Sequence, residues 1–108
     1  MQSSDYMEDT VNLGGNIELS GFRDVDPGSM VILKKIVGNF AKKLSERNEN
    51  FQKLHVTMKP IHEREKGEKY EIHGRIVMDG KSVSSEMVDR NLFYCLDKVM
   101  KKLESELE

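Results

Sequence analysis

Cysteine is nearly missing from this chain: Cys95 is the only one in 108 residues. That excludes an internal disulfide and any all-cysteine zinc site, and it fits a reducing compartment, the cytoplasm. Cys95 falls at the margin of an apolar helical stripe, where it reads as a small buried apolar residue. No apolar run approaches the roughly 18 residues of a membrane span, and Met1 to Gly15 has neither the basic start nor the apolar centre of a secretory leader. Phosphate-cradling glycine loops, metal-hydrolase motifs and a nucleophile spaced with its base are absent too, so the chain is not expected to be an enzyme. Nor is there a surplus of positive charge. The formal net charge is −2, which argues against an indiscriminate binder of polyanions.

What is present suits one domain. Hydrophobic residues make up 37% and charged residues 33%, polar for a globular chain but well above the depletion that forces disorder. A length of 108 residues allows two packed layers and little more. Charge is unevenly spread. Asp5, Glu8 and Asp9 are the only charges before Asn16; taking these three from 19 acidic residues leaves 16 against 17 basic ones in the remainder. Residues 1–15, which lack apolar periodicity and end in Gly14-Gly15, read as a flexible acidic tail, and residues 16–108 as the domain.

Within the domain, NIELSGF (16–22) alternates Ile17 and Leu19 with polar neighbours, as a short strand does. Asp26-Pro27-Gly28-Ser29 supplies helix-start chemistry, and the helix it opens runs to about Arg47 with Leu33, Ile36, Val37, Phe40 and Leu44 on one face. Gly38 weakens that helix without an evident packing reason. Three strands follow, at 53–59, 70–78 and 81–87, each apolar on one side. Asp79-Gly80 is a two-residue hairpin signal, and it pairs Met78 with Lys81, Ile76 with Val83, Gly74 with Ser85 and Ile72 with Met87, bringing the apolar positions onto one face. The charged link 61–68 reads as a mobile hairpin tip. A second helix starts near Asp89 as N-cap and buries Leu92, Phe93, Leu96, Val99, Met100, Leu103 and Leu107. The order β-α-β-β-β-α predicts an α+β fold: a two-layer sandwich in which two helices pack on one face of a four-stranded mixed sheet. The first strand should lie parallel to the second through a right-handed crossover, ahead of an antiparallel meander.

Two candidate sites remain. His55 and His73 are expected opposite each other on the open sheet face, but His62 falls in the link and no cysteine or carboxylate completes four ligands, so neither a metal nor another cofactor is expected. The outer helix faces carry Lys34, Lys35, Lys42, Lys43 and Arg47 on the first helix, then Arg90, Tyr94, Lys98, Lys101 and Lys102 at the second. Lysines on exposed helix faces are ordinarily solubilising. Here both rows lie on one side of the sheet with little compensating acid, and Asp97 and Glu104 fall toward one flank. A merged basic surface of this kind grips RNA phosphates, with Tyr94 available to stack or hydrogen-bond.

The order of elements and the last helix resemble the short ribosome hibernation factors, the hibernation promoting factor and ribosome-associated inhibitor A group, over about residues 16–107. Their final helix reads like DMYAAIDxxxxKLERQL. NLFYCLDKVMKKLESEL keeps the aromatic at Phe93, then Leu96-Asp97, Lys102-Leu103-Glu104 and Leu107. VGNFAKKLSE fits VxDRLxKLEK at Val37, Lys43 and Leu44. The resemblance implies a domain that sits in the small-subunit channel for messenger and transfer RNA and holds translation off during stress. It implies that basic residues of both helices face ribosomal RNA; Lys43 and Lys102 match directly, and the other cations extend the surface by helix geometry. The chain departs from the pattern at Ser105 and Glu106, at Asn39 and Phe40, and in its acidic start. Two alternatives stand beside this reading: a module that forms a homodimer through a sheet edge, and a binder of free double-stranded RNA.

Overall fold

The computed structural model describes residues 10–14, 16–63 and 67–107. Residues 1–9, with most of the expected acidic tail, and residues 64–66 of the expected link lie outside the described residues. The chain forms β1 (Val11–Asn12), β2 (Ile17–Ser20), α1 (Pro27–Arg47), β3 (Phe51–Glu63), β4 (Gly67–Met78), β5 (Lys81–Asp89) and α2 (Leu92–Glu106). Among the described residues one sheet contains five strands in the order β1-β2-β3-β4-β5, so the α+β sandwich stands with five strands there rather than the four expected. The added strand is β1, which pairs antiparallel with β2 through Val11↔Leu19 and Asn12↔Glu18. Two residues are too few to show alternation, so only the partner strand reveals them.

β2 runs parallel to β3, with Leu19 beside Val56, and the chain crosses between them through α1. Asp26 caps α1 by accepting the Ser29 N–H at 2.9 Å, a bond that holds its carboxyl below the ordinary carboxylate pKa. Gly21, in the turn before α1, has φ +85, and a Cβ there would run into the Met58 carbonyl, so glycine is required on both counts.

In the β4–β5 hairpin, Asp79 and Gly80 both take positive φ, 51 and 80, as the two-residue turn demands. The four pairs expected from it are all formed. β3 and β4 extend well past the expected spans, because backbone pairing continues where side-chain alternation has stopped. Pro60 is tolerated there since β3 has lost its β2 neighbour after Thr57.

Both helices pack on one sheet face. α1 contributes Leu33, Val37, Phe40, Ala41 and Leu44 to the core, and α2 contributes Cys95, Leu96, Val99, Met100 and Leu103. A 15-residue helix is marginal alone, whereas burying each Leu or Val side chain is worth roughly 1.5–3 kcal/mol, so packing rather than propensity holds α2. The seat for α2 is the cross-strand pair Gly74↔Ser85. A Cβ on Gly74 would stand 2.7 Å from Val99 Cγ1 and 2.8 Å from Leu103 Cδ1, and Ser85 Oγ donates to the Val99 carbonyl at 3.0 Å. Small residues here let the helix approach closely.

One local expectation is corrected. The N-cap of α2 is Asn91, whose Oδ1 accepts the Tyr94 N–H at 2.9 Å, while Asp89 instead accepts the Asn91 N–H at 2.8 Å. Cys95 is fully buried, as expected of a small apolar residue, with its Sγ 3.3 Å from the Met87 carbonyl, and burial pushes its thiol pKa up.

Candidate nucleic-acid interface

The helix layer leaves its outer surface to solvent. On α1, residues advance by about 100° each, which places Lys35 and Lys42 away from the core and puts Lys34 and Lys43 on opposite flanks. All five α1 cations are exposed, and against them the helix carries one carboxylate, Glu46. Lys34, Lys35 and Lys42 have no ion-pair partner among the described residues.

The second row is organised differently. Asp97 and Glu104, seven residues apart, do share a flank of α2, and that flank faces α1. Asp97, Lys101 and Glu104 line the groove between the helices together with Lys43, Asn39 and Phe40. Glu104 Oε2 lies 3.5 Å from Lys43 Nζ and 3.2 Å from Arg47 Nη1. Lys101 Nζ lies 3.3 Å from Asp97 Oδ2. The seam between the two cationic rows is therefore partly neutralised, a departure from the single merged surface expected. Three lysines of α2 meet three carboxylates on the same helix, Asp97, Glu104 and Glu106, whereas α1 keeps five cations to one acid.

The remaining expected residues scatter around α2. Lys98 Nζ sits 5.3 Å from the centre of the Tyr94 ring, a cation–π contact on the exposed face. Lys102 turns toward the sheet edge and donates to the Glu86 carbonyl of β5 at 3.2 Å. Arg90 precedes the helix and donates to the Glu68 carbonyl at 3.4 Å, at the far end from Lys101 and Lys102. The structure thus brings Lys43, Arg47 and Lys101 together at the seam, keeps Lys35 and Lys42 exposed on α1, and separates Arg90 from the rest. The bridging role of Glu104 was missed. Its signal was the seven-residue spacing from Asp97, which marks a flank without saying what lies opposite.

On the open sheet face, the β3–β4 register sets His55 opposite Arg75 and His73 opposite Thr57, which corrects the expected pairing of the two histidines. His55 Nε2 lies 2.9 Å from Ser20 Oγ, and Ser20 Oγ is 2.9 Å from Thr10 Oγ1. Burial pushes the His55 imidazole below its ordinary pKa, with Lys53 and Arg75 adding to the shift and Glu18 opposing it. His73 lies between Glu71 and Glu86, with Nδ1 3.2 Å from Glu86 Oε1.

No family model matches the chain. No curated protein matches it. Among solved structures it is similar to a ribosomal subunit interface protein from Coxiella burnetii, with a TM-score of 0.52 and 14% sequence identity over 85% of this chain and 90% of that one. At such identity the likeness is one of fold.

Proposed function

We propose that this chain is a non-enzymatic ribosome-associated protein that binds small-subunit ribosomal RNA through the outer surface of α1, with the cations of α2 in support, and keeps idle ribosomes from translating. The observation that carries the reading is the shared fold with a ribosomal subunit interface protein over most of both chains. The exposed cations of α1 support it, because phosphate affinity comes from clustered Lys and Arg that are not already neutralised. Lys35 and Lys42 rank first, since neither has an ion-pair partner among the described residues. Lys98, Lys101 and Lys102 rank second, since Asp97 and the Glu86 carbonyl already hold two of them. The 47% exposure of Tyr94 supports a role in stacking on an unpaired base.

The test is co-sedimentation of the protein with small subunits across a salt series. Binding should weaken steeply with salt, and Lys35→Glu with Lys42→Glu should abolish it while the far-ultraviolet circular dichroism stays unchanged. Reversal of Lys98, Lys101 and Lys102 should weaken binding less. Unchanged co-sedimentation of both reversed sets sinks the helix surface as the site. A duplex RNA bound as tightly as ribosomes would point to a binder of free double-stranded RNA instead.

A second reading rests on the β5 edge. Among the described residues β5 pairs only with β4, and hairpin geometry turns the backbone groups of Ser82, Ser84, Glu86 and Val88 outward. A homodimer formed there, without retention on ribosomes, would favour this reading.

A further inference from the structure

A cleft of about 900 Å³ opens where three segments converge: the turn from Gly21 to Asp26, the far part of the β3–β4 hairpin, and residues 90–93 leading into α2. It is separate from the outer helix surface, and its volume suits a small organic ligand. Its lining divides by chemistry. Val25, Met58, Tyr70, Leu92 and Phe93 supply apolar and aromatic surface. Arg23 and Arg90 bring guanidinium groups from two different segments, and Lys59 adds to the rim.

Three carboxylates also line the cleft, and two are committed elsewhere. Asp26 holds the Ser29 N–H at 2.9 Å, and Glu68 Oε2 lies 3.2 Å from His62 Nδ1. Asp24 is the third. The first turn of α2 enters the cleft with a neutral cap, Asn91, and carries no acidic residue. An inorganic anion would leave the aromatic half unused, and a purely apolar ligand would leave two guanidinium groups facing it.

We propose that this cleft binds a ribonucleotide, with the base against Tyr70 and Phe93, the phosphate on Arg23 and Arg90, and a ribose hydroxyl on Asp24. Guanidinium forks match phosphate oxygens, and five N–H donors per arginine allow a phosphate to be held beside the bonds each already makes, such as that from Arg90 to the Glu68 carbonyl. Aromatic faces accept any base, so the site selects for a nucleotide rather than for a sequence. A carboxylate accepting from the 2′-hydroxyl favours ribose over deoxyribose. The nucleotide comes either free or as one unstacked residue of an RNA chain.

The experiment is a proton–nitrogen correlation NMR titration of the full chain with adenosine 5′-monophosphate, with a single-stranded hexaribonucleotide, and with its deoxy counterpart. Shifts confined to the amides of Gly21, Asp24, Asn91 and Phe93 are expected. Shifts with the monophosphate identify a free nucleotide as sufficient; shifts with the hexaribonucleotide alone identify an RNA residue. Arg23→Gln with Arg90→Gln should lower affinity at least tenfold, and Asp24→Ala, which removes the acceptor, should erase the preference for ribose. Lys35→Gln with Lys42→Gln should leave monophosphate affinity within twofold, so failure of the ribosome reading and failure of this one are told apart. Cleft amides of the wild-type chain that move with neither the monophosphate nor the hexaribonucleotide overturn the proposal, as does wild-type affinity in the double arginine variant.

Discussion

Glu104 of α2 reaches across the helix seam to Arg47 of α1, with Oε2 3.2 Å from Nη1, and the same oxygen also lies 3.5 Å from Lys43 Nζ. One carboxylate thus binds two of the five cations that α1 presents. Glu104→Gln should release both and strengthen retention on small subunits, steepening the salt dependence by up to about two phosphate contacts. The pairs are exposed enough to be screened, so stability should change by no more than about 1 kcal/mol. Co-sedimentation across a salt series, beside a denaturant melt, measures both effects; weaker retention would contradict the assignment.

Lys102 stands over the β5 edge and donates to the Glu86 carbonyl. A lysine so placed blunts an edge strand against further pairing. Lys102→Ala should therefore increase concentration-dependent self-association, read by sedimentation velocity, with little loss of secondary structure. A variant as monodisperse as the wild type would mean that the edge is protected by other means.

Two glycines should respond in opposite directions. At Gly74 an added side chain meets Val99 and Leu103 below 3 Å, so Gly74→Val should destabilise by at least about 1–3 kcal/mol. At Gly38 nothing lies within 4 Å of an added Cβ, so Gly38→Ala should stabilise α1 by roughly 0.5–1 kcal/mol. Thermal melts of the two variants decide the matter: a Gly74→Val variant as stable as the wild type would refute the packing described for α2, and a destabilised Gly38→Ala variant would refute the open space at Gly38.

The His55 imidazole, held below its ordinary value of 6.5 chiefly by burial, makes stability depend on pH. Its folded-state pKa is depressed, so below pH 6.5 the unfolded chain takes up a proton that the native chain refuses. The contribution is fully present above that pH and falls as the solution is acidified toward the folded pKa. Denaturant unfolding at pH 7.5 and 5.5 should show the loss, and His55→Gln should flatten it; an identical slope in the variant would assign the effect to other groups.

Much of this architecture is written in short-range pattern. The Asp79-Gly80 turn and the alternation around it prescribe the β4–β5 register residue by residue, since a slip of one would bury the opposite set. The 3.6-residue period likewise marks which faces of α1 and α2 enter the core, with Cys95 at the margin of the buried stripe. The resemblance carried by Lys102-Leu103-Glu104 and Val37-Lys43-Leu44 anticipated the fold shared with a ribosomal subunit interface protein.

By itself, then, the sequence determined the order of elements from β2 onward, the hairpin register and the inward face of each helix, because turn chemistry and side-chain periodicity act between near neighbours. Only the tertiary structure decided that Val11–Asn12 would add a fifth strand, that His55 would face Arg75 rather than His73, and that Glu104 would divide the cationic surface. Each of these depends on the lateral placement of segments distant along the chain. That placement is set by loop lengths and packing across the whole core, and no local pattern encodes it.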